Sequence, residues 1–221
     1  MSSGPPATLN TERRAEGARR KGARRVRKLI VCNLMSLDGY VAGPGENVMV
    51  LPLDGAFDAY NAERLRAAGT LLLGRRTYEG FKGFWPSVAD DEGATPAQRE
   101  ISRRDNAIDK VVVSDSLTED ETEPWRDTTE IVRRADAQER VAELKRLGDG
   151  EVLVFGSRTL WNDLLAHGLV DELHLMVGAV VLGGGTPAFE GQPPVALRTL
   201  AVRKLDGSEN VLVRYGVEPR G

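Results

Sequence analysis

Short apolar runs alternate with amphipathic segments along the chain from residue 28 onward. The apolar runs predict strands, and the segments with apolar residues three or four positions apart predict helices. Predicted strands cover residues 29–35, 70–73, 110–113, 131–132, 151–155, 170–177 and 179–182. Predicted helices cover residues 56–68, 135–147 and 158–167, and one further helix starts at 74–77. Residues 86–107 are polar and contain one predicted helix after Pro96.

The order of these elements predicts an α/β fold. Strands that alternate with helices form a mainly parallel sheet with helices on both faces, which gives three layers. Two further apolar segments, 197–205 and 210–217, flank Asp206-Gly207-Ser208. A glycine-containing turn between two such segments predicts an antiparallel hairpin at the C-terminal end of the domain.

Composition limits the class of protein. With 221 residues, of which 41% are hydrophobic, the chain can bury the core of one domain. Its apolar runs are far shorter than the roughly 20 residues that a membrane span needs, and no apolar segment of a secretory signal follows the N-terminal arginines. A single cysteine, Cys32, supports neither a disulfide framework nor a cysteine zinc site, and we expect no metal. We therefore expect a cytoplasmic protein that does not bind membranes.

Residues 1–28 carry nine Lys and Arg residues against two Glu, whereas the remainder of the chain is acidic. A basic arm of this kind can bind nucleic acid. It lacks an apolar period, so we predict a disordered extension over residues 1–27 and a folded domain over residues 28–218. The acidic domain argues against a nucleic-acid partner.

Polar residues follow three of the predicted strands. The junctions are Gly74-Arg75-Arg76-Thr77, Val113-Ser114-Asp115 and Gly156-Ser157-Arg158-Thr159. In open α/β sheets, ligands bind beyond the carboxyl ends of the strands, where free amides at helix N-termini attract phosphate. Such sequences also occur as ordinary turns and helix caps. Three of them at successive strand ends favour a ligand rich in phosphate.

Two acidic residues are candidates for a catalytic or substrate-binding role. Asp38 follows the first strand, and Asp54 ends the segment Leu51-Pro52-Leu53-Asp54 just before the first helix. Either carboxylate could donate a proton or anchor a substrate ring. Asp54 is equally suited to be the N-cap of that helix.

An ordered set of motifs resembles the dihydrofolate reductase superfamily, and within it the branch of the C-terminal reductase domain of the bifunctional riboflavin-biosynthesis enzyme. The motifs span the chain from the first strand to the glycine-rich segment before the hairpin. They are Ser36-Leu37-Asp38-Gly39-Tyr40-Val41-Ala42-Gly43, Gly74-Arg75-Arg76-Thr77-Tyr78, Val112-Val113-Ser114, Phe155-Gly156-Ser157, Leu169-Val170-Asp171-Glu172-Leu173 and Val181-Leu182-Gly183-Gly184-Gly185. This resemblance implies the three-layer fold with a C-terminal hairpin.

The resemblance also implies NADPH as the hydride donor. It implies that Gly74, Arg75, Arg76 and Thr77 hold the pyrophosphate and the 2′-phosphate end, and that Ser114 lies by the adenosine phosphate. It further implies that the second phosphate region and the nicotinamide side are bound by Gly156, Ser157, Arg158, Thr159 and Leu160. The Gly-Gly usual in that turn is Gly156-Ser157 here.

The implied substrate is a small heterocycle of the pterin or pyrimidine kind. Leu51-Pro52-Leu53-Asp54 matches the segment with which folate reductases bind the pterin ring, but Ile108 stands where those enzymes carry an arginine. The chain therefore resembles either a 5-amino-6-(5-phosphoribosylamino)uracil reductase or a dihydrofolate reductase, and relatives of this branch imply a homodimer. The alternative is an NADP(H)-binding protein without catalysis.

Overall fold

The computed structural model describes residues 26–191 and 193–218. Within them, eight strands form one sheet in the order β5-β4-β3-β6-β1-β7-β10-β9. All neighbouring pairs from β5 to β7 are parallel, and β10 pairs antiparallel with both β7 and β9. The strands are β1 Leu29–Ser36, β3 Ala68–Gly74, β4 Lys110–Val113, β5 Thr129–Val132, β6 Glu151–Phe155, β7 Glu172–Gly178, β9 Leu197–Lys204 and β10 Val211–Val217.

Five helices cover the two faces of this sheet. They are α1 Gly55–Ala67, α2 Arg75–Val88, α3 Pro96–Ala107, α4 Ala137–Arg146 and α5 Arg158–Ala166. The first three pack on one face, and α4 and α5 pack on the other. None of these helices is long and apolar enough to span a membrane.

The central strands are apolar because both of their faces are buried. In β1, Leu29 and Val31 point into the core layer beneath α4 and α5, whereas Ile30 and Cys32 point into the layer beneath α1 to α3. Side chains alternate between the faces of a strand, so a strand with helices on both sides needs apolar residues at every position. This confirms the predicted mixed α/β sheet with its C-terminal hairpin.

Two details of the predicted elements were wrong. Residues 179–182 form no strand: the Leu182 N–H donates to the Asp38 carboxylate, and the Val180 carbonyl accepts from the Leu37 N–H. The polar stretch that we placed at 86–107 begins later, because α2 continues to Val88 with Pro86 in its last turn.

A second, two-stranded sheet joins two loops beyond the main sheet. Strand β2, Tyr40–Ala42, pairs antiparallel with β8, Thr186–Pro187. The Ala188 N–H donates to the Gly39 carbonyl at 2.7 Å, which continues the connection. The loop after β1 and the glycine-rich loop after β7 therefore form one unit near the carboxyl end of β1.

Arg27 packs into the folded domain, although the extension was predicted to run to residue 27. Its side chain is buried and donates to the carbonyls of Gly150 and Leu147, at 2.8 and 2.9 Å, and to the Thr70 hydroxyl. An arginine can close the C-terminal end of a helix in this way, and here it closes α4. Residues 1–25 of the predicted extension lie outside the described residues.

Candidate functional site

The candidate site lies where the helices that follow two adjacent strands leave the sheet in opposite directions. Strands β3 and β6 are parallel neighbours. Helix α2 follows β3 onto one face, and α5 follows β6 onto the other. Such a reversal opens a crevice at the carboxyl ends of the strands, which is the usual ligand site of open α/β sheets.

Two loops at this crevice are joined by reciprocal hydrogen bonds. The Gly74 N–H donates to the Ser157 hydroxyl at 3.0 Å, and the Ser157 N–H donates to the Thr77 hydroxyl at 2.9 Å. Gly156 has φ +52°, and a Cβ there would lie 3.0 Å from the Thr77 hydroxyl oxygen. The structure thus brings four of the predicted cofactor residues into direct contact.

The first turns of α2 and α5 carry backbone N–H groups without a side-chain cap. The residues preceding these helices, Gly74 and Ser157, make no side-chain cap bond. Helix α4 also lacks a side-chain cap bond, whereas α1 is capped by Asp54 and α3 by a capping box that starts at Thr95. The unsatisfied amides of an uncapped helix favour an anionic ligand. The two helices at the crevice are therefore suited to bind phosphate.

Three arginines surround these amides, and each is paired with a carboxylate. Arg75 donates from Nε to Glu79 at 2.6 Å, from one Nη to the Ser116 hydroxyl at 2.9 Å, and from the other Nη to Glu121 at 2.8 Å. This side chain reaches towards the loop after β4. Each of its three guanidinium nitrogens therefore donates at least one hydrogen bond.

The other two arginines each have one carboxylate partner. Arg76 is 80% exposed and pairs with Glu46, which lies in the loop after β2. Arg158 pairs with Glu190 at 2.7 Å. Arg75 and Arg76 therefore point to opposite sides of the first turn of α2, although they are adjacent in sequence.

The remaining predicted cofactor residues differ in exposure. Ser114 is buried, and its hydroxyl accepts from the N–H groups of Ser116 and Leu117 at 3.2 and 3.0 Å. Its role in this structure is to shape the turn after β4. Thr159 is exposed on the first turn of α5, and Leu160 packs partly against the core.

The Asp54 carboxylate is fully engaged within the protein. Oδ1 accepts from the N–H groups of Ala56 and Phe57, at 3.1 and 3.0 Å, which caps α1. Oδ2 accepts from the Ser208 hydroxyl at 2.5 Å and from the Asn210 amide at 3.2 Å, both in the turn between β9 and β10. A carboxylate offers about four acceptor sites, and these four contacts use them. The geometry supports the N-cap interpretation.

Asp38 holds the two loops beyond β1 and β7 together. Its carboxylate accepts from the N–H groups of Leu182 and Gly183, at 3.1 and 2.7 Å. Hydrogen bonding to the Ser36 side chain, followed by these backbone contacts, lowers the pKa of Asp38 to about 2. An acid with such a pKa is an anion at neutral pH.

The acids that pair with the arginines were not predicted from the sequence. Glu46, Glu121 and Glu190 come from three loops, and their partners are between 30 and 46 positions away in sequence. Thr118-x-x-Glu121 has the spacing of a capping box, which was visible in the sequence. The contact of Glu121 with Arg75 was not visible in the sequence.

Other polar features lie away from this crevice. A surface cavity of 610 Å³ is lined by Gly69, Arg104 and Asp109, near the amino ends of β3 and β4. His174 is buried between the Tyr60 hydroxyl at 2.7 Å and the Glu172 carboxylate at 2.8 Å. Burial lowers the pKa of His174 to about 4, so this imidazole is neutral at pH 7.

Comparisons with known proteins agree with this architecture. The model of the RibD C-terminal domain family matches residues 27–211. No curated protein sequence matches the chain.

Several solved structures share the fold at low sequence identity. A putative riboflavin biosynthesis protein from Shewanella sp. PV-4 is 19% identical with a TM-score of 0.61, over 87% of this chain and 99% of its own. The deaminase/5-amino-6-(5-phosphoribosylamino)uracil reductase of Thermotoga maritima is 14% identical with a TM-score of 0.60, over 95% of this chain, which spans 62% of that protein. Enterococcus faecalis dihydrofolate reductase, solved with NADP(H), is 16% identical with a TM-score of 0.50, over 87% of this chain and 97% of its own.

Proposed function

This chain belongs to the RibD C-terminal domain family, and from that membership we propose that it is an NADPH-dependent reductase of a small heterocycle of the pterin or pyrimidine kind. Family membership supports a reductase of the riboflavin-biosynthesis and dihydrofolate-reductase type. The observation that carries the proposal is the pair of uncapped helix N-termini at the carboxyl ends of β3 and β6, with arginines around them.

The residues at this crevice fit the phosphates of a dinucleotide. The first-turn amides of α2 and α5 would bind the phosphate oxygens, with Arg76 and Arg158 as counter-ions. Arg75 and Ser116 would face the adenosine end, because both belong to the side of the crevice near the loop after β4. The nicotinamide supplies the hydride when the cofactor is bound, and the protein supplies orientation and charge.

The contacts of both candidate acids suggest structural tasks. Asp38 fixes the loop beyond β1, and Asp54 fixes the start of α1 and the hairpin turn. We therefore propose that the proton that accompanies hydride transfer comes from a water molecule rather than from either carboxylate.

The uncapped N-termini of α2 and α5 also favour the alternative function, an NADP(H)-binding protein without turnover. Such a protein would need the phosphate site but no acid. The two functions differ in one measurable property, the oxidation of NADPH in the presence of a substrate.

A homodimer is part of the proposal. Val202 and Val213 are neighbours in the hairpin. They lie on the same sheet face as α4 and α5, but at the edge of the sheet, and Val202 is 62% exposed. An apolar face of this kind suits contact with a second copy.

The deciding experiment measures NADPH binding first and turnover second. Fluorescence titration of the full chain with NADPH tests the cofactor site. A screen of pterins, folates and riboflavin intermediates, followed by absorbance at the NADPH band, then tests turnover. Binding without oxidation of NADPH by any of these compounds supports the non-catalytic alternative, and absence of NADPH binding contradicts both functions.

A further inference from the structure

In the proposed site Arg75 faces the adenosine end of the cofactor, and its guanidinium group is already paired with the carboxylate of Glu121. A guanidinium group binds phosphate through two parallel N–H groups along one edge. In Arg75, the edge formed by the two Nη atoms is occupied by the Ser116 hydroxyl at 2.9 Å and by Glu121 at 2.8 Å. The Nε side is occupied by Glu79. A phosphate that binds this edge therefore has to compete with Glu121 for the guanidinium group.

Glu121 is held in this position by contacts of its own. Its second carboxylate oxygen, Oε2, accepts from the Thr118 N–H at 2.9 Å and from the Thr118 hydroxyl at 3.1 Å. The bond from the Thr118 N–H is the glutamate half of the capping box at the turn Glu119–Thr122. The carboxylate is thus oriented towards Arg75 by a bond pattern independent of the arginine.

We propose that Glu121 is a specificity-determining residue, which lowers the preference of this protein for NADPH over NADH. The inference rests on the proposed cofactor site. A 2′-phosphate is repelled by the Glu121 carboxylate and must compete with it for Arg75. The 2′-hydroxyl of NADH is neutral and can donate a hydrogen bond to the same carboxylate, as acidic residues do in dinucleotide-binding sites. The acid therefore weakens one cofactor and favours the other.

Glu121→Gln tests this inference without disturbing the turn. Glutamine serves at this position of a capping box as well as glutamate does, so the variant keeps the bond from the Thr118 N–H. It loses the negative charge, and an NH₂ donor replaces the oxygen that accepts from Arg75. We expect the Kd for NADPH to fall about tenfold and the Kd for NADH to change by less than about threefold. Arg75→Ala should bring the two Kd values close together.

Glu119→Gln is the matched control. Glu119 lies in the same turn, is exposed, and takes no part in the contacts of Arg75. The substitution removes the same charge, so it reports the long-range electrostatic effect alone. A rise in the NADPH preference equal to that of Glu121→Gln would overturn the inference, as would an unchanged preference in Glu121→Gln.

A second pair of probes locates the effect on the adenosine half of the cofactor. Adenosine 2′,5′-bisphosphate should bind Glu121→Gln more tightly than it binds the unmodified chain, whereas adenosine 5′-diphosphate should not. An equal gain for both compounds contradicts the inference. If the unmodified chain binds neither NADPH nor NADH, the proposed function itself fails, and that outcome is distinct from nucleotide binding with an unchanged preference.

Discussion

The Ser157 hydroxyl accepts a hydrogen bond from the Gly74 N–H at 3.0 Å and thereby joins the two loops of the candidate cofactor site. Ser157 has φ +49° and ψ +41°, a left-handed conformation that non-glycine residues rarely adopt. Glycine would adopt it without cost, but it has no hydroxyl group. The serine thus combines a strained backbone with a contact that fixes the distance between α2 and α5.

Substitutions of Ser157 should separate these two effects. Ser157→Ala keeps the strain and loses the acceptor, so we expect the free energy of unfolding to fall by about 1 kcal/mol. Ser157→Gly also loses the acceptor but relieves strain of about 1 kcal/mol, so its stability should stay close to that of the unmodified chain. Urea unfolding measures both. A glycine variant less stable than the alanine variant would contradict the strain argument.

Arg76 should act on a part of the cofactor that NADPH and NADH share. Its only ion-pair partner among the described residues is Glu46, on the side of α2 opposite to Ser116. Arg76→Ala should therefore weaken both nucleotides by a similar factor, about tenfold. Glu46→Gln should tighten both, because it releases the arginine. A selective loss of NADPH in Arg76→Ala would assign the 2′-phosphate to Arg76 instead of Arg75.

Most of the fold could be predicted from the sequence because strand and helix periods are local properties. The error at residues 179–182 shows the limit. Four apolar residues between glycines have the composition of a strand, but their backbone groups bond to Leu37 and to Asp38, more than 140 positions away. No local pattern reveals such partners.

The candidate site, like the fold, could be predicted only in part from the sequence. The glycines and hydroxyl residues at the strand ends were predicted, since each junction is a local motif. The roles of Asp54 and of the three arginines depend on long-range partners. The contacts of Asp54 with Ser208 and Asn210 bridge the first helix and the C-terminal hairpin, so the sequence left the choice between cap and acid open.

A buried acid near a buried lysine should make stability depend on pH. Asp105 and Lys110 are each 1% exposed, and neither carboxylate oxygen of Asp105 has a hydrogen-bond partner among the described residues. Burial raises the pKa of Asp105 to about 7 and lowers the pKa of Lys110 to about 8. The Lys110 ammonium lies 4.4 Å from the centre of the Trp125 ring.

The sign of the effect follows from the Asp105 shift. Since the folded chain binds this proton more tightly than the unfolded chain, the stabilisation is complete below pH 3.8 and is lost as pH rises towards 7. Asp105→Asn cannot ionise, so its free energy of unfolding should fall less between pH 4 and pH 7, by on the order of 2 kcal/mol. Urea unfolding at several pH values checks this, and parallel pH profiles for the two proteins would contradict it.

The proposed dimer should depend on the exposed face of the hairpin. Val213 pairs with Val202 on β9 and with Leu175 on β7, which places all three on one face. Val202→Lys should give the mass of one chain in light scattering at micromolar concentration, whereas the unmodified chain should give twice that mass. Val181→Lys is the control, because Val181 is 67% exposed in the loop after β7. A single-chain mass for the unmodified protein would contradict the dimer.

Asp54→Asn should distinguish a structural acid from one that acts on the substrate. Asparagine caps a helix nearly as well as aspartate, so the bonds to Ala56 and Phe57 should survive. On the other side, an NH₂ group would face the Asn210 amide, which leaves donors without an acceptor and costs about 1–3 kcal/mol of stability. NADPH affinity should be unchanged, because the proposed cofactor contacts lie at the ends of β3 and β6. If Asp54 is only a cap and an anchor, kcat/KM for an identified substrate should change less than tenfold. A loss of about 10²-fold or more, the lower range for acid–base groups, with NADPH affinity intact would show that the carboxylate reaches the substrate during the reaction and would restore its role as a ring anchor or proton relay.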